Sequence, residues 1–343
     1  MKLKNFFDQK KSHVLIIAEA CDNHFGSLAK AKKMIIKAKW AGADVIKFQH
    51  HIPDEEMLRK VPKSKNFVND DLYSFLKKNA LKLSDHIKLK NFCDKVGIQY
   101  LCTPFSLKAA KELVKFVGVD GFKIGSGEMT DVPTLLEITK FKKPMIISTG
   151  MSYTKEIMRT YNNLKNKKVK LAFLHCLSEY PVNYKDLNLG YIPILKKKLN
   201  NCIIGFSDHS SDLIYTYAAV ALGAKIVERH VTLDKKLAGP DQSVSIDFEE
   251  LKLMISKVRK IEQSIGINKT VHKDEKIIRK WAFRSLVAIK NIEKNEKFSL
   301  DNIWSKRPGL GVPSVNMRKF LGKKSKRSIS KDSFIKWKDI KKI

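Results

Sequence analysis

Eight short apolar segments recur along the first 230 residues, and stretches with helical periodicity separate them. Nearly continuous apolar strands are typical of parallel sheets covered on both faces, and their alternation with helices indicates an α/β fold. Eight such units predict a closed TIM (β/α)8 barrel rather than an open sheet. The predicted strands are residues 14–18, 44–49, 99–102, 121–124, 144–148, 170–175, 203–206 and 225–230.

Polar residues gather where the predicted strands end. Lys47-Phe48-Gln49 closes the second strand, Lys123–Glu128 follows the fourth, and Ser207-Asp208-His209 follows the seventh. The carboxyl ends of barrel strands meet on one rim, where active sites of this fold are built. The residues expected on the rim are Glu19, Asn23, His24, Lys47, Gln49, Thr103, Ser106, Lys123, Ser126, Glu128, Ser148, Thr149, Gly150, His175, Ser178, Tyr180, Ser207, Asp208, His209, Glu228 and His230.

The residue types on this rim indicate an anion site and a metal site. Lys47 and Lys123 supply positive charge, and the hydroxyls beside them supply hydrogen-bond donors. Together they suit a small phosphate-bearing anion. Two imidazoles, His209 and His230, follow neighbouring strands. They suit a divalent transition metal that keeps positions open for water or substrate.

Four carboxylates have expected roles around these groups. Glu19 and Glu128 are candidates for proton transfer or for recognition of a substrate hydroxyl. Asp208 and Glu228 are expected to orient the two imidazoles.

Two histidine-containing pairs are expected to have no catalytic role. His175-Cys176 is a poor nucleophile pair, because adjacent residues of a strand point to opposite faces. His50-His51 is expected at the surface.

Two other functions remain open from the residues alone. A Schiff-base aldolase on the same barrel would use Lys123 or Lys47 as nucleophile, which requires a desolvated lysine of lowered pKa. It would leave the histidine pair without a role. A protein that binds nucleic acid or the cell envelope would use the basic region at residues 323–327.

Composition limits the class of protein. The 343 residues carry a formal net charge of +32, but the lysines are spread over surface-type positions and no nucleic-acid-binding motif accompanies them. We therefore expect a solvated basic surface that favours anionic ligands, with no nucleic-acid partner. No apolar run approaches the 18 or so residues of a membrane span. Five scattered cysteines without a C-x-x-C pair predict a reduced, cytoplasmic protein.

The residue composition of the chain changes after Gly266. Residues 267–283 are polar and charged and are predicted to form a linker between a barrel domain, 1–266, and a C-terminal domain, 284–343. Short β-type runs at 285–289 and 303–305, broken by Gly and Pro, predict a small, mostly β domain. The hydrophobic core of so small a domain gives only marginal stability by itself. We therefore expect this domain to pack against the barrel or against a second subunit. Residues 53–79 form an unusually long predicted connection, typical of a lid-like loop.

An ordered series of short motifs runs along the chain. The motifs are Ile17-Ala18-Glu19 with Asn23-His24, Gly42-Ala43-Asp44 with Lys47-Phe48-Gln49, Thr103-Pro104-Phe105, Lys123–Glu128, Ser148-Thr149-Gly150-Met151, Ser207-Asp208-His209 and Gly239-Pro240-Asp241. These motifs resemble the sialic acid synthase family, which makes nonulosonic acids. Arg284-Ser285-Leu286 and Lys306-Arg307-Pro308-Gly309 resemble the antifreeze-like (SAF) domain of that family. The resemblance covers the chain from about residue 13.

The resemblance implies an activity and its partners. Members condense phosphoenolpyruvate with an N-acylated amino sugar, typically N-acetylmannosamine, and release phosphate. A divalent metal is implied, commonly Mn²⁺, with Mg²⁺ or Co²⁺ as alternatives. A domain-swapped homodimer is also implied, in which the SAF domain of one subunit caps the barrel of the other. A legionaminic or pseudaminic acid synthase is the substrate variant left open, and the stretch 239–241 favours sugars outside the pseudaminic branch.

The same resemblance implies residue roles, carried over motif by motif. Phosphoenolpyruvate would be held by Lys47, Thr103, Lys123, Ser126, Ser148 and Ser207. The metal would be bound by His209 and His230. The sugar would meet Gln49, Glu128, Tyr180 and Asp241, and Glu19 would take part in the chemistry with Glu128 and the two histidines. Phe283 and Arg307 complete the substrate-binding set, and Arg307 would reach the acylamino group from the other subunit.

Two positions depart from the family pattern. Phe25 stands where the Asn-His-Asn-Gly stretch often has a second Asn, and Leu177 stands where Thr commonly follows His-Cys. Both are expected to narrow or reshape the sugar pocket without changing the reaction class.

Overall fold

The computed structural model describes residues 3–8, 13–60, 71–180 and 182–341. Contacts between Cα atoms divide the chain into two compact units, Met1–Gly266 and Ile267–Ile343. Part of the expected lid-like connection, residues 61–70, lies outside the described residues. None of the described helices is long and apolar enough to cross a membrane.

The first unit is built on eight parallel strands. They run in the order β3-β2-β1-β8-β7-β6-β5-β4, and β3 lies beside β4 without a hydrogen-bonded ladder between their described residues. This arrangement confirms the predicted (β/α)8 barrel. The strands are β1 Leu15–Glu19, β2 Val45–His50, β3 Gln99–Pro104, β4 Phe122–Ile124, β5 Met145–Ser148, β6 Leu171–Cys176, β7 Ile203–Asp208 and β8 Ile226–His230.

Helices connect the strands and cover the barrel. A capping box begins α11: Asp247 accepts from the Glu250 N–H, and Glu250 accepts from the Asp247 N–H. The helices of this unit are α1 Leu3–Asp8, α2 Leu28–Ala41, α3 Pro53–Glu56, α4 Leu72–Asn79, α5 Leu83–Val96, α6 Leu107–Glu112, α7 Val132–Thr139, α8 Thr154–Leu164, α9 Tyr191–Lys198, α10 Ile214–Ala221 and α11 Phe248–Ser264, whereas α12 Lys273–Ala282 belongs to the second unit.

Residues that alternate along the strands fill the barrel interior in layers. At the amino-terminal end the interior is apolar, with Leu15, Val45 and Ile226 among its members. The helix α1, which the sequence did not suggest, packs Leu3 and Phe6 against this layer. The bottom of the barrel is thereby closed.

At the carboxyl end the inward-facing residues become polar. Strand pairing sets Glu19 beside Lys47, Glu19 beside His230 and Ser207 beside Glu228. Successive side chains of a strand point to opposite faces. The residues that alternate with these inward-facing ones therefore point outward and pack under the helices. The register alone therefore gathers the functional residues at one level of the barrel.

The second unit contains the antiparallel pair β9 Ser285–Ala288 and β10 Ile303–Lys306. Its small core includes Leu286, Phe298 and Phe320. The strands predicted at 285–289 and 303–305 are confirmed. The segment before them contains α12.

Candidate active site

A cavity of about 550 Å³ opens at the carboxyl end of the barrel, a size typical of small-molecule sites. It brings together all the barrel residues expected to act on substrate or metal. They are Glu19, Lys47, Gln49, Thr103, Lys123, Ser126, Glu128, Ser148, Tyr180, Ser207, His209, His230 and Asp241. Asn23 and His24 do not line it. Asn23 instead donates to the Val231 carbonyl and to Ser245 Oγ, both at 2.9 Å, and so ties the loop after β1 to the loop after β8.

Four buried charged side chains form the floor of the cavity. Lys47 Nζ lies 2.5 Å from Glu19 Oε2 and 3.7 Å from Glu228 Oε2. Lys123 Nζ lies 3.2 Å from Glu228 Oε1, which also accepts a hydrogen bond of 3.0 Å from Ser207 Oγ. Two positive and two negative groups balance each other here. We call Glu19, Lys47, Lys123 and Glu228 the charge cluster.

The two carboxylates of the charge cluster titrate in opposite directions. Burial and the nearby Glu228 raise the pKa of Glu19 to about 7, although Lys47 opposes the shift. Burial would also raise the pKa of Glu228, but Lys123 and Lys47 outweigh it and lower that pKa to about 2. Glu228 therefore stays ionised, whereas Glu19 can gain or lose a proton near neutrality.

The two lysines also differ. Burial lowers the pKa of Lys123, although Glu228 opposes this. For Lys47 the attraction of Glu19 and Glu228 outweighs burial and raises the pKa. The Lys47–Glu19 and Lys123–Glu228 pairs are both buried, so water screens the attraction between their charges only weakly.

Several hydrogen-bonding groups face the cavity without a protein partner. Ser148 Oγ and Glu128 Oε2 are buried and make no hydrogen bond, and burial raises the pKa of Glu128. Ser126 Oγ accepts from the Gly150 N–H at 3.0 Å, and a side chain at position 150 would collide with Ser178. Unsatisfied buried polar atoms are rare in proteins. Their concentration here indicates a polar ligand.

The two imidazoles meet on one side of the cavity, with ring centroids 5.1 Å apart. His209 Nδ1 lies 2.8 Å from the Leu177 carbonyl, so this nitrogen carries the proton and Nε2 faces Tyr180 at 3.3 Å. His230 Nδ1 is buried and has no hydrogen-bond partner. Burial lowers the pKa of His230 well below its ordinary value, and the neighbouring His209 adds to this. A neutral imidazole with a free buried nitrogen is suited to bind a metal.

Cys21 and Asp241 lie beside His230. Cys21 Sγ is 2.7 Å from Asp241 Oδ2 and 3.1 Å from Gln49 Nε2. Burial and the Asp241 carboxylate raise the pKa of the Cys21 thiol. Little in the sequence marks Cys21 as a functional residue. The one available signal was its position two residues after Glu19, directly beyond the end of β1.

The expectation that His50-His51 is a surface pair is wrong. His51 lines the cavity, stacks on Phe105 with a centroid distance of 4.0 Å and contacts Gln49 Oε1 at 2.9 Å. His50 is buried on the outer side of the barrel, where its Nε2 contacts Glu112 at 2.8 Å. Asp22, which also went unnoticed, lines the cavity as well, and burial raises its pKa to about 6.

The expected orientation of the imidazoles by Asp208 and Glu228 is also wrong. Asp208 is paired with Arg229 at 2.5 Å and accepts from Thr216, while Glu228 belongs to the charge cluster. The reason is strand alternation: Asp208 follows the inward-facing Ser207 and therefore points outward.

Strand alternation also separates His175 from Cys176. His175 stacks on Phe206 and bonds the Leu187 carbonyl. Cys176 faces the main cavity and contacts Ser126 Oγ at 3.7 Å. The two side chains therefore do not form a nucleophile pair.

Neither departure from the family pattern changes the cavity lining directly, contrary to expectation. Phe25, at a φ of 51°, is absent from the lining and lies against Gly239. Leu177 lines a separate cavity and offers its carbonyl to His209.

The two expected substrate residues outside the barrel, Phe283 and Arg307, belong to the second unit. Phe283 is 51% exposed. The Arg307 guanidinium lies 5.7 Å from the ring centroid of Trp281.

Comparison with known proteins places this site among those of one family. Residues 34–270 match the NeuB family, and residues 283–341 match the SAF domain. The chain is 38% identical to the N,N'-diacetyllegionaminic acid synthase of Campylobacter jejuni subsp. jejuni serotype O:2 over 337 residues, 94% of this chain and 98% of the relative. It is 37% identical to the pseudaminic acid synthase of the same strain, with 96% of each chain covered.

A solved structure gives the same result. The N-acetylneuraminic acid (sialic acid) synthetase of Leptospira borgpetersenii serovar Hardjo-bovis superposes with a TM-score of 0.71 at 33% identity, covering 78% of this chain and 90% of that one. The family match spans well over half of the chain, and the relatives align along nearly their whole length. This chain belongs to the NeuB family and carries a C-terminal SAF domain.

Proposed function

We propose that this chain is a nonulosonic acid synthase. It condenses phosphoenolpyruvate with an N-acylated amino sugar and water, and releases phosphate. The observation that carries the proposal is the charge cluster, with two buried lysines beside unpartnered hydrogen-bonding groups in a cavity of substrate size. The synthase names of the relatives support the same reaction class.

Phosphoenolpyruvate fits the floor of this cavity by charge and by donor geometry. Lys47 and Lys123 attract its phosphate and carboxylate groups, and Ser148 Oγ is free to donate to an anionic oxygen. In the free protein both lysines are already neutralised by Glu19 and Glu228. An arriving anion therefore adds negative charge, and Glu19, whose pKa is about 7, can take up a proton to restore the balance.

The reaction then needs bond formation, addition of water and loss of phosphate. The methylene carbon of phosphoenolpyruvate bonds to the aldehyde carbon of the open-chain sugar, which leaves positive character on the phosphate-bearing carbon. Water adds to that carbon, and the tetrahedral product expels phosphate by cleavage of the C–O bond. Glu19 and Glu128 line the same cavity, where their carboxylates would stabilise the developing positive charge. They can receive the proton that the water loses and supply the proton that the former aldehyde oxygen gains.

A metal fits the histidine side of the cavity, because His230 Nδ1 is a buried nitrogen without a partner. His209 and His230 would hold the ion, and when bound it supplies Lewis-acid polarisation of the aldehyde oxygen. The family resemblance favours Mn²⁺.

A Schiff-base aldolase is the weaker reading. Lys47 is held as a cation by Glu19 and Glu228, whereas a Schiff base needs a neutral amine. Lys123 has the lowered pKa that such chemistry requires, but it pairs with Glu228. Borohydride reduction in the presence of pyruvate would trap a Lys123 adduct if this reading held.

We propose that the SAF domain contributes residues to the active site of a second subunit. A homodimer would swap these domains, so that Arg307 and Phe283 of one subunit meet the sugar bound in the barrel of the other. We also propose a cytoplasmic location. All five cysteines are free thiols, as is usual in a reducing compartment.

Phosphate release is the test. The full chain is incubated with phosphoenolpyruvate, a divalent metal and one of N-acetylmannosamine or the 2,4-diacetamido sugars that lead to legionaminic or pseudaminic acid. Identities of 38% and 37% to the two kinds of relative do not choose among these sugars, so the panel does. We expect release with one sugar and none without sugar, and Lys123→Met as a matched control should be inactive. No sugar-dependent release from any member of the panel would refute the proposal.

A further inference from the structure

We propose that Cys21 and Asp241 join His230 in a metal site that includes a thiolate and therefore favours softer divalent ions, such as Zn²⁺ or Co²⁺, over Mn²⁺. Imidazole ligands already bind such ions more tightly than Mn²⁺, and a thiolate strengthens that preference. The inference shares His230 with the proposed function, and rests on it only for the role of the bound ion.

The three side chains form the one compact group of metal-binding type among the described residues. One ligand atom from each of Cys21, His230 and Asp241 lies within 4.8 Å of the other two. Cys21 Sγ is 2.7 Å from Asp241 Oδ2, and His230 Nδ1 is 4.0 Å from Asp241 Oδ1. Bonds of roughly 2.0 to 2.3 Å set neighbouring ligands of a tetrahedral zinc about 3.3 to 3.7 Å apart. Side-chain shifts of about 1 Å would thus suffice.

The free nitrogen of His230 is an independent sign of a missing ligand. His230 is 5% exposed, and its Nδ1 has no hydrogen-bond partner although it faces Asp241. A buried polar atom left unsatisfied in a native structure requires an explanation, and an absent ion is one of the few available. An ion between His230 and Asp241 would satisfy this nitrogen.

One neighbour of Cys21 is placed to stabilise a metal-bound thiolate. Its backbone has a φ of 42°, held by a hydrogen bond of 3.1 Å from the Cys21 N–H to Glu19 Oε1. Gln49 Nε2 donates to the sulfur at 3.1 Å, a contact that strengthens when the sulfur is anionic. On metal binding the thiol proton leaves to solvent, as for other cysteine ligands.

The second cysteine of the cavity is excluded by its position. Cys176 Sγ lies 3.9 Å from His209 Nδ1, and that nitrogen is already bonded to the Leu177 carbonyl. The sulfur therefore stands on the side of His209 that cannot bind an ion. Cys176 is the matched control for Cys21, since both are buried thiols of the same cavity.

The donor set predicts the class of ion. Thiolate sulfur selects zinc and other soft ions, whereas manganese prefers oxygen ligands. A site of one sulfur, one imidazole and one carboxylate, with His209 nearby, should therefore bind Zn²⁺ and Co²⁺ in preference to Mn²⁺.

Cobalt spectroscopy tests the sulfur ligand directly. The full chain is freed of metal with a chelator and titrated with Co²⁺ alone, and the near-ultraviolet absorption is followed for the charge-transfer band of a cobalt thiolate. We expect the band in the wild type and in Cys176→Ser, and its loss in Cys21→Ser. Asp241→Asn should weaken Co²⁺ binding roughly tenfold or more, the loss seen even for residues that only support a ligand. Circular dichroism of the metal-free variants checks that they are folded.

A wild-type chain without the band, or a band that persists in Cys21→Ser, would overturn the inference. If Cys21→Ser does not fold, zinc X-ray absorption on the unmodified chain decides the matter. One sulfur ligand at a Zn–S distance of about 2.3 Å supports the proposed site, and a zinc coordination shell without sulfur refutes it. If the cobalt–thiolate band is absent but phosphate release still depends on sugar, only the metal-site inference is refuted. If the band is present but no sugar supports phosphate release, only the proposed function is refuted.

Discussion

The opposite titration of two neighbouring carboxylates gives a prediction about stability. Glu19→Gln and Glu228→Gln are nearly isosteric changes in the same charge cluster, yet they should have opposite effects above neutral pH. The pKa of Glu19 rises from 4.5 to about 7, while that of Glu228 falls from 4.5 to about 2. Each shift corresponds to roughly 3 kcal/mol of unfolding free energy when fully expressed.

The signs follow from which state holds the proton. The folded protein keeps a proton on Glu19 between pH 4.5 and about 7, so ionised Glu19 destabilises it increasingly over that window. Glu228 has a depressed pKa and stabilises the fold above pH 4.5, with the contribution lost as the pH falls towards 2. At pH 8, Glu228→Gln should therefore lower the unfolding free energy by about 3 kcal/mol, and Glu19→Gln should leave it unchanged or raise it.

Urea unfolding followed by circular dichroism at pH 5 and pH 8 measures both effects. The wild type should lose stability between the two values, and Glu19→Gln should reduce that loss by the part that comes from Glu19. For a unit of this size, a loss of 3 kcal/mol also lowers the melting temperature by roughly 6 to 12 °C. Glu179→Gln, at an exposed position beside the cavity, should behave as the wild type. An equal pH dependence in the wild type and in Glu19→Gln would refute the reasoning.

Three further outcomes test the proposed function. Lys47→Met and Lys123→Met should each weaken phosphoenolpyruvate binding by about 2 to 5 kcal/mol in calorimetry, because each removes a buried cation of the cavity, and Lys225→Met, at an exposed position, should not. His209→Ala should abolish turnover while circular dichroism stays unchanged, and full activity of the chelator-treated wild type would contradict a metal role. Removal of residues 284–343 should leave a folded but nearly inactive barrel, and mixing Arg307→Ala with Lys123→Met chains should restore part of the activity. Mixed dimers verified by mass yet inactive would exclude the swapped arrangement.

The barrel and its polar rim were predictable because strand periodicity fixes both. A parallel strand that ends in Lys-Phe-Gln must direct Lys47 and Gln49 to one face and Phe48 to the other. The same rule directs Asp208 away from the imidazoles, because Asp208 follows the inward-facing Ser207. Ser207-Asp208-His209 is therefore not one cluster, although its residues are consecutive.

Residues in loops and short helices were harder to predict. Cys21 and His51 reach the cavity from the ends of β1 and β2, where direction depends on turn geometry rather than on alternation. The φ of 42° at Cys21 has no clear signature in an Ala-Cys-Asp sequence, since such values are usual for glycine and asparagine. The helix α1 has six residues, too few for its periodicity to be recognised.

The charge cluster divides its tasks between its two carboxylates. Glu228 contacts both lysines, which lower its pKa to about 2, so it keeps the barrel from burying two uncompensated cations. Of the two lysines, Glu19 contacts only Lys47, and the pKa of Glu19 is about 7. If an anion binds at Lys47, Glu19 is therefore the carboxylate that can change its charge in response. Substrate binding and proton uptake are then coupled through one residue at the end of β1, and the stability of the empty protein depends on the other.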